Sequence, residues 1–484
     1  MMTGGAIRRP GRAHGIPGGR LAILAALGAV TIWPSCGDEP PMPRPRAVVM
    51  VTIDTLRADG LSFQGAGPTW SPFLDSLAAE GVILTKAYAP CSWTAPSMAS
   101  LFTGYEPASH GVVSGYVGRP NDRGKPKRGV QNQPLLPQSL TTLAESFRSA
   151  GYVTIGVPSN LHLAERLGFG QGFDHYAKAR FLEAPDVNQS VREQLELAFG
   201  PEWKTKWKQE KTFLWIHYFD PHVPYFAREP WIEELEPEFA ADPSAYPAGW
   251  DLPRLMSTYP TPDPGIAEQL TPLYRSEIRY VDEHLREIGG ELGLSDDDVF
   301  LIVTSDHGEE FVEHGKFGHG QSLFEEAIHV PLFLRWPDGL PEVKRLDTAA
   351  SILDVFPTLA VLLNLPLPSG MQGVPIPGLL DESPAELRPM YFHTDRSRPV
   401  LDAVREGPWK LIRGKGRPTQ LYNLEIDPAE RDDVAATNPQ IVQRLESTLD
   451  QHLANLPAPP DDTGQVPVSD EKELERLRAL GYIK

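Results

Sequence analysis

One threonine stands where its hydroxyl could act as a nucleophile. The segment from Ala89 to Gly104 reads APCSWTAPSMASLFTG, in which Pro96 suits the first turn of a helix that Gly104 can end. Thr94 would then lie just before a helix N-terminus, where backbone N–H groups and the helix dipole favour an anion. Two interpretations follow: Thr94 caps the helix, or its hydroxyl attacks an anionic ester.

Acidic and imidazole side chains follow two apolar runs elsewhere in the chain. Asp54 ends one run, and the pair Asp306 and His307 ends the other. Each run is typical of a buried parallel strand, and open α/β sheets bind their ligands at the carboxyl ends of the strands. Two carboxylates, one imidazole and the Thr94 hydroxyl would form a divalent-metal site with Thr94 as the activated nucleophile.

The elements that must position these residues indicate an α/β fold. The chain has 484 residues and 41% hydrophobic composition, which is ample for a large core. Strand-like runs alternate with helical patterns, which predicts a mostly parallel central sheet sandwiched by helices. From about Pro389, short strands separated by turns predict a small C-terminal α+β subdomain with antiparallel strands. The polar segment 118–137 is predicted to be a surface loop.

Net charge and cysteine content argue against two classes of protein: nucleic-acid-binding proteins and proteins held together by disulfides. The formal net charge of −19 argues against a nucleic-acid partner, because such proteins neutralise phosphates with basic side chains. The only cysteines are Cys36 and Cys91, so disulfides do not hold this fold together.

The first residues are typical of an export signal. Several arginines precede the apolar stretch 21–32, and Ser35 precedes Cys36. We therefore predict a signal or lipoprotein leader over residues 1–36, with lipidation of Cys36 favoured over simple cleavage, and a Pro-rich tether over 37–46. The expected location is that of an exported bacterial lipoprotein, on the periplasmic or cell-surface side of a membrane.

An ordered set of motifs resembles the sulfatases, within the alkaline-phosphatase-like superfamily. The pieces follow one another from about Ala47 onward, and they are Ile53–Asp59, Thr94–Ser97, Pro107–Gly111, His217–Tyr225, Ser305–Glu309 and His314–Gly320. The resemblance implies a catalytic domain over 47–380 and an antiparallel C-terminal subdomain over 385–455. Composition predicts a Pro-rich linker with a terminal helix over 456–484.

Several positions depart from the sulfatase pattern. A typical sulfatase has a Cys or Ser, converted to formylglycine, where this chain has Thr94. Met98 and Gln321 replace the family's arginine and lysine, which removes positive charge. Thr55 replaces an acidic ligand, and His307 replaces an amide, so the resemblance implies Zn²⁺ or Mn²⁺ rather than Ca²⁺.

With these substitutions, the chain resembles the branch of the superfamily whose nucleophile is a threonine. That branch includes phosphodiesterases and phosphoalcohol transferases. In this interpretation His222 and His319, with Asp220 or His217, bind a second metal. Alternatively, His222 and His319 only protonate the leaving group or bind the substrate. Lys316 would contact the anion, or it is a solvated loop lysine.

The predicted activity is metal-dependent hydrolysis of a small-molecule, glycan or lipid anionic ester. Formylglycine enzymes release their covalent intermediate by elimination, which threonine cannot do, so phosphoesters (a phosphodiester or phosphonate-type ester) are favoured. Three alternatives stay open: a sulfatase that works without formylglycine, a phosphoalcohol transferase, and a non-catalytic binding lipoprotein.

Overall fold

A computed structural model describes Pro45 and residues 47–65, 70–113, 117–120, 126–240, 264–380, 388–396, 399–467 and 474–475. The predicted leader with Cys36, nearly all of the tether and most of the predicted terminal helix lie outside these residues. The described residues all belong to one compact unit.

An eight-stranded sheet forms the centre of the molecule. In spatial order its strands are β12 (Arg345–Ser351), β2 (Val82–Tyr88), β11 (His329–Arg335), β8 (Val299–Ser305), β1 (Ala47–Ile53), β7 (Thr212–Tyr218), β5 (Val153–Val157) and β6 (His175–Tyr176). Every neighbouring pair is parallel except the two that β11 makes with β2 and β8. The predicted mostly parallel sheet is confirmed.

Both faces of this sheet are buried. Along β1, Val49 and Val51 belong to the hydrophobic core on one face, whereas Val48 and Met50 belong to the core on the other. Side chains alternate across a strand, so a strand covered on both faces must be apolar at every position. This double burial explains the unbroken apolar runs that precede Asp54.

Helices cover both faces of the central sheet, and each of the larger helices packs on one face. They are α1 (Pro72–Glu80), α2 (Thr94–Thr103), α3 (Pro107–His110), α4 (Leu143–Ser149), α5 (Ala184–Phe199), α6 (Trp203–Lys206), α7 (Trp231–Leu235), α8 (Pro237–Ala240), α9 (Pro264–Leu292), α10 (Glu325–Ile328) and α11 (Val355–Leu363). Residues of α1, α5 and α9 enter one core, and residues of α2, α4 and α11 enter the other. Among the described helices, none has the length and apolar character needed to cross a membrane.

A four-stranded antiparallel sheet follows the central sheet. Its strands are β13 (Met390–Thr394), β14 (Leu401–Glu406), β15 (Trp409–Gly414) and β16 (Gln420–Asn423), and helix α12 (Pro439–Asn455) packs on it. Val404 and Leu411 face Leu445 of α12, whereas Ala403 and Ile412 belong to a separate core that also contains Tyr88 of the central sheet. The predicted antiparallel C-terminal subdomain is confirmed.

The segment predicted as a surface loop is instead part of a third sheet. Strands β3 (Val117–Pro120) and β4 (Pro126–Leu135) pair antiparallel, and β17 (Gly464–Pro467) pairs with the other edge of β4. Turn-rich composition predicted a loop, but backbone pairing with a distant strand overrides that local preference. A short hairpin of β9 (Glu310–Phe311) and β10 (Phe317–Gly318) lies between β8 and β11.

Candidate active site

Three adjacent parallel strands bring potential metal ligands to one edge of the central sheet. Asp54 follows β1, Asp306 follows β8, and His217 lies near the end of β7. One ligand atom from each residue lies within 4.8 Å of the others, and all three side chains are fully buried. The carboxyl ends of neighbouring parallel strands meet at the same edge, which is why the chain converges there.

Each of these three side chains is held from one side. Asn160 Nδ2 donates to Asp54 Oδ2 at 2.7 Å, and the backbone N–H of His307 donates to Asp306 Oδ1 at 2.9 Å. Ser159 Oγ donates to the His217 carbonyl and lies 3.1 Å from His217 Nδ1, so Nδ1 carries the proton and Nε2 keeps its lone pair.

The opposite atoms lack hydrogen-bond partners among the described residues. These atoms are Asp54 Oδ1, Asp306 Oδ2 and His217 Nε2. Buried polar atoms are nearly always satisfied, so three such orphans in one place indicate a missing partner. A divalent cation is a partner that carboxylate oxygens and an imidazole nitrogen would all accept, and the residues present therefore fit a metal ion.

The electrostatics of the cluster favour a cation. Burial raises the pKa of Asp54 well above its usual range, and the charge of Asp306 raises it further. Burial lowers the pKa of His217 to about 4, which keeps the imidazole neutral and able to bind a metal. A bound cation would stabilise both carboxylates in their charged form.

Thr94 and His307 lie against this cluster. Thr94 is fully buried and is the first residue of α2, one position further into the helix than predicted. Its Oγ1 lies 3.3 Å from His307 Nε2. His307 Nδ1 donates to the Gly308 carbonyl at 2.9 Å, so Nε2 presents a lone pair. That nitrogen lies 3.6 Å from Asp54 Oδ1 and 3.4 Å from Asp306 Oδ2.

The structure therefore brings together all four residues of the predicted metal site. Their sequence positions are up to 253 apart, given that Asp54 and His307 are the extremes. The Trp93 residue before the helix makes no side-chain capping bond, and the Thr94 hydroxyl is found beside His307. Its role as a nucleophile stays a prediction.

His222 and His319 form a second part of the site. Their ring centres lie 4.9 Å apart, and the rings of His307 and His319 lie 4.5 Å apart. His319 Nδ1 lies 2.8 Å from Glu309 Oε1, and the Tyr225 hydroxyl donates to Glu309 Oε2 at 2.8 Å. His319 Nε2 is buried without a hydrogen-bond partner among the described residues. Glu309 thus orients His319 with one nitrogen left for a ligand or a proton.

Two other predicted site residues bond elsewhere. Asp220 accepts a hydrogen bond from the Ala184 N–H at 2.9 Å and pairs with Arg228 at 3.2 Å. Lys316 Nζ donates to the Gln321 carbonyl at 2.5 Å. Among the described residues, Asp220 is not part of a group that could hold a metal ion. The roles predicted for Asp220 and Lys316 stay predictions that these contacts do not support.

Sequence reasoning missed three contributors and undervalued a fourth. Asn160 and Glu309 position the ligands and His319, and Arg396 from the C-terminal part acts on the cluster by its charge. His217 was considered only for a second metal, although its place near the end of a buried strand is the same signal that identified Asp54. Asn160, after β5, carries that signal as well, whereas nothing local marks Arg396.

Comparison with known proteins identifies the family. The Sulfatase profile matches residues 46–365, and the C-terminal profile of N-sulphoglucosamine sulphohydrolase matches residues 312–458. A sulfatase of Formosa agariphila is 26% identical over 425 residues, covering 79% of this chain and 82% of that protein. Human arylsulfatase A is 27% identical over 458 residues, covering 83% of this chain and 87% of that protein.

Solved structures agree on the fold. A 2-O GAG sulfatase superposes with a TM-score of 0.65 at 18% identity, covering 85% of this chain and 92% of that one. The phosphonate monoester hydrolase of Silicibacter pomeroyi superposes with a TM-score of 0.62 at 20% identity, covering 85% of this chain and 95% of that one. The match over residues 46–365 places the protein in the sulfatase family, whose members are metal-dependent hydrolases acting on ester bonds.

Proposed function

We propose that this protein hydrolyses an anionic phosphoester, with Thr94 as the nucleophile and a divalent cation beside it. The observation that carries the proposal is the position of Thr94 Oγ1, 3.3 Å from His307 Nε2 in the cluster of buried carboxylates. A hydroxyl at the first residue of a helix also faces the positive end of the helix dipole, which favours an anion there.

Asp54, Asp306 and His307 would hold the cation, with Thr94 completing the set and His217 within reach of the same carboxylates. Imidazole ligands beside carboxylates suit Zn²⁺ or Mn²⁺ better than Ca²⁺, which prefers oxygen ligands alone. When bound, the cation would lower the pKa of the Thr94 hydroxyl and offset charge on the transferring group.

The chain's own residues then divide the reaction into two displacements. The Thr94 hydroxyl loses its proton to solvent, its oxygen forms a bond to phosphorus, and the bond from phosphorus to the leaving oxygen breaks. Water attacks phosphorus in the second displacement, which breaks the bond to Thr94 and restores the hydroxyl. The N-terminus of α2 stabilises negative charge on the phosphoryl oxygens in both displacements.

The pair of His319 and Glu309 supplies the proton that the leaving oxygen needs, and neutral His222 contributes to binding the substrate. Burial lowers the pKa of each imidazole well below its usual value, and neighbouring positive charge lowers it further. Burial also raises the pKa of Glu309 to about 8, so the pair of Glu309 and His319 can share a proton near neutral pH. Glu309 acts as a positioning residue for His319.

The chemistry of threonine supports a phosphoester over a sulfate ester. An ester of threonine must be cleaved by attack of water, since no aldehyde hydrate is present for an elimination. The sulfatases among the relatives favour a second candidate, hydrolysis of a sulfate ester by the same threonine. One protein with this fold has been solved in complex with its own substrate, D-glucosamine-2-N,6-O-disulfate, which supports this second candidate.

The test is a substrate panel with stripped and restored enzyme. Nitrophenyl esters of phosphate, phenylphosphonate and sulfate, together with a bis(nitrophenyl) phosphodiester, are assayed after chelation and after addition of Mn²⁺, Zn²⁺ or Ca²⁺. We expect a phosphodiester or phosphonate ester to react fastest, with Mn²⁺ or Zn²⁺. A fastest reaction with the sulfate ester would establish the second candidate instead.

Thr94→Ala should lower kcat/KM by at least about 1,000-fold because it removes the nucleophile. Its metal content should stay near that of the wild type, since the carboxylates and imidazoles remain. Thr94→Ser is the matched control, because it keeps a hydroxyl at the same position and should retain far more activity. Wild-type rates in Thr94→Ala would refute the assignment.

Export and membrane attachment through a lipid at Cys36 complete the proposal. The leader composition and the Ser35–Cys36 pair support it. Loss of membrane association in a Cys36→Ala variant expressed with its leader would be the expected result.

A further inference from the structure

The C-terminal sheet is tied to the candidate active site at the end of strand β13. The His393 N–H donates to the Pro90 carbonyl at 3.0 Å, in the segment that leads to the nucleophile. Thr394 Oγ1 donates to the carbonyl of Gly320 at 3.0 Å, and Gly320 directly follows His319. The residues that follow β13 are therefore held beside both halves of the site.

Arg396 follows this strand and lies between the same two segments. Its guanidinium carbon lies 5.8 Å from the ring centre of Trp93, the residue before Thr94. Its side chain also packs on Gly320, where an added Cβ would come within 2.5 Å of Arg396 Cδ. A residue with a side chain at position 320 would displace Arg396, so the glycine makes room for it.

The positive charge of Arg396 shifts the pKa of groups in both halves of the site. Burial raises the pKa of Asp54 and of Glu309, and the positive charge of Arg396 opposes that rise. Burial lowers the pKa of His222 and His319, and the same charge adds to that effect. These effects agree with the contacts that Arg396 makes with Trp93 and Gly320, which are the neighbours of Thr94 and His319 in the sequence.

The arginine and lysine that a typical sulfatase places around its anion are Met98 and Gln321 in this chain. Met98 is fully buried in the apolar core, and Gln321 donates from Nε2 to the Phe317 carbonyl at 3.0 Å. Lys316 bonds to the Gln321 carbonyl. A positive side chain that binds an anionic ester at Thr94 would therefore come from another part of the chain.

We propose that Arg396 binds the non-bridging oxygens of the substrate's phosphoryl or sulfuryl group and so determines specificity for the anion. A guanidinium can donate two parallel hydrogen bonds to two such oxygens. This inference rests on the proposed function for the position of the ester, but it does not depend on which residue is the nucleophile. It gives the C-terminal subdomain a direct part in substrate binding.

Anion binding tests the inference separately from catalysis. In the Thr94→Ala background, calorimetry with inorganic phosphate and with sulfate compares Arg396 with Arg396→Gln and Arg396→Lys. Loss of a charge-assisted hydrogen-bonding group should weaken phosphate binding about ten- to hundredfold in the Gln variant, and less in the Lys variant. Arg413→Gln is the matched control, because Arg413 lies on β15 in an exposed ion pair with Asp450 and should change affinity less than about twofold.

Kinetics on the variants with Thr94 intact add a readout that a structural role would not move. The kcat/KM ratio of a dianionic phosphate monoester to a monoanionic diester should fall in Arg396→Gln, since a lost charge affects the dianion more. Equal phosphate affinity with and without Arg396, including no binding by either protein, would overturn the inference. If instead Thr94→Ala stays active while Arg396→Gln loses anion affinity, the nucleophile assignment fails and the Arg396 inference stands.

Discussion

Two groups of buried carboxylates in this molecule are neutralised in different ways. The Lys410 network consists of Lys410, Glu325 and Glu430, and Lys410 Nζ lies 3.0 Å from Glu325 Oε1 and 2.9 Å from Glu430 Oε1. The metal cluster of Asp54 and Asp306 is fully buried, whereas Glu325 is partly exposed. No lysine or arginine forms an ion pair with either aspartate among the described residues.

The difference separates a structural ion-pair network from a candidate metal site. A buried charge is costly unless it is paired, so the Lys410 network carries its own cation and joins the C-terminal sheet to the catalytic part. The metal cluster instead leaves one atom of each ligand without a hydrogen-bond partner in the described structure. Its residues therefore fit a cation taken from solution.

The largest effect on stability is expected in the Lys410 network. Lys410→Met leaves the buried Glu430 without its cation, whereas Glu325 is partly exposed and keeps Arg405 at 3.4 Å. The free energy of unfolding should fall by about 3–5 kcal/mol. Urea denaturation followed by circular dichroism measures the change.

A double variant provides the control for that measurement. Adding Glu430→Gln to Lys410→Met removes the uncompensated charge of Glu430 and should recover part of the lost stability. Equal losses in the single and double variants would show that packing of the lysine stem, rather than its charge, is what the network needs.

An intermediate effect is expected when the metal cluster loses its cation. Binding of a cation to the folded state alone stabilises it by about 2.7 kcal/mol at a free concentration 100 times the dissociation constant. Chelation should therefore lower the melting temperature and abolish activity, and Mn²⁺ or Zn²⁺ should restore both.

The Asp54→Asn variant tests the metal cluster, because its effect on the free energy of unfolding should change sign when metal is bound. In stripped protein this variant should be more stable than the wild type, because it removes one of two facing buried carboxylates. With the metal present it should be less stable, because a ligand is lost. A variant with the same sign of effect in both conditions would contradict the metal assignment.

The smallest effect concerns pH and His314. His314 Nδ1 lies 2.5 Å from Glu326 Oε1, and its Nε2 lies 3.0 Å from the Glu430 carbonyl, so both nitrogens act as donors. Burial alone would lower the pKa of His314, but the hydrogen bond and charge of Glu326 outweigh burial and raise it.

The sign of the pH dependence follows from that raised pKa. The stabilisation is complete below the unfolded value of about 6.5 and is lost as the pH rises through the folded pKa. In metal-free protein, the stability difference between wild type and His314→Gln should therefore shrink from pH 6 to pH 9, as measured by urea unfolding. A constant difference would show that His314 is not protonated in the folded state.

Much of the site could be predicted because its ligands follow recognisable strands. Asp54, Asp306 and His307 directly follow apolar runs, and Thr94 stands at a helix start marked by Pro96. Parallel strands bring their carboxyl ends to one edge, so strand patterns alone place these residues near one another. The mostly parallel sheet and the antiparallel C-terminal sheet were predictable for the same reason.

Contacts between distant segments could not be predicted in this way. Composition predicted a loop over 118–137, but β17 from the far end of the chain pairs with that segment and makes it a sheet. Asn160 and Glu309 acquire their roles from the side chains they face, and Arg396 acquires its place from two hydrogen bonds at the end of β13.

The sequence by itself determined which strands are buried on both faces and which reactive groups stand at their ends. Strand burial follows from the local order of apolar and polar residues. Only the tertiary structure decided that His217 joins the carboxylates, that Asp220 pairs with Arg228, and that Arg396 from the C-terminal part lies over Trp93, beside the proposed nucleophile. The physical reason is that strand and helix patterns depend on neighbours in sequence, whereas ligand sets and charge balance depend on neighbours in space.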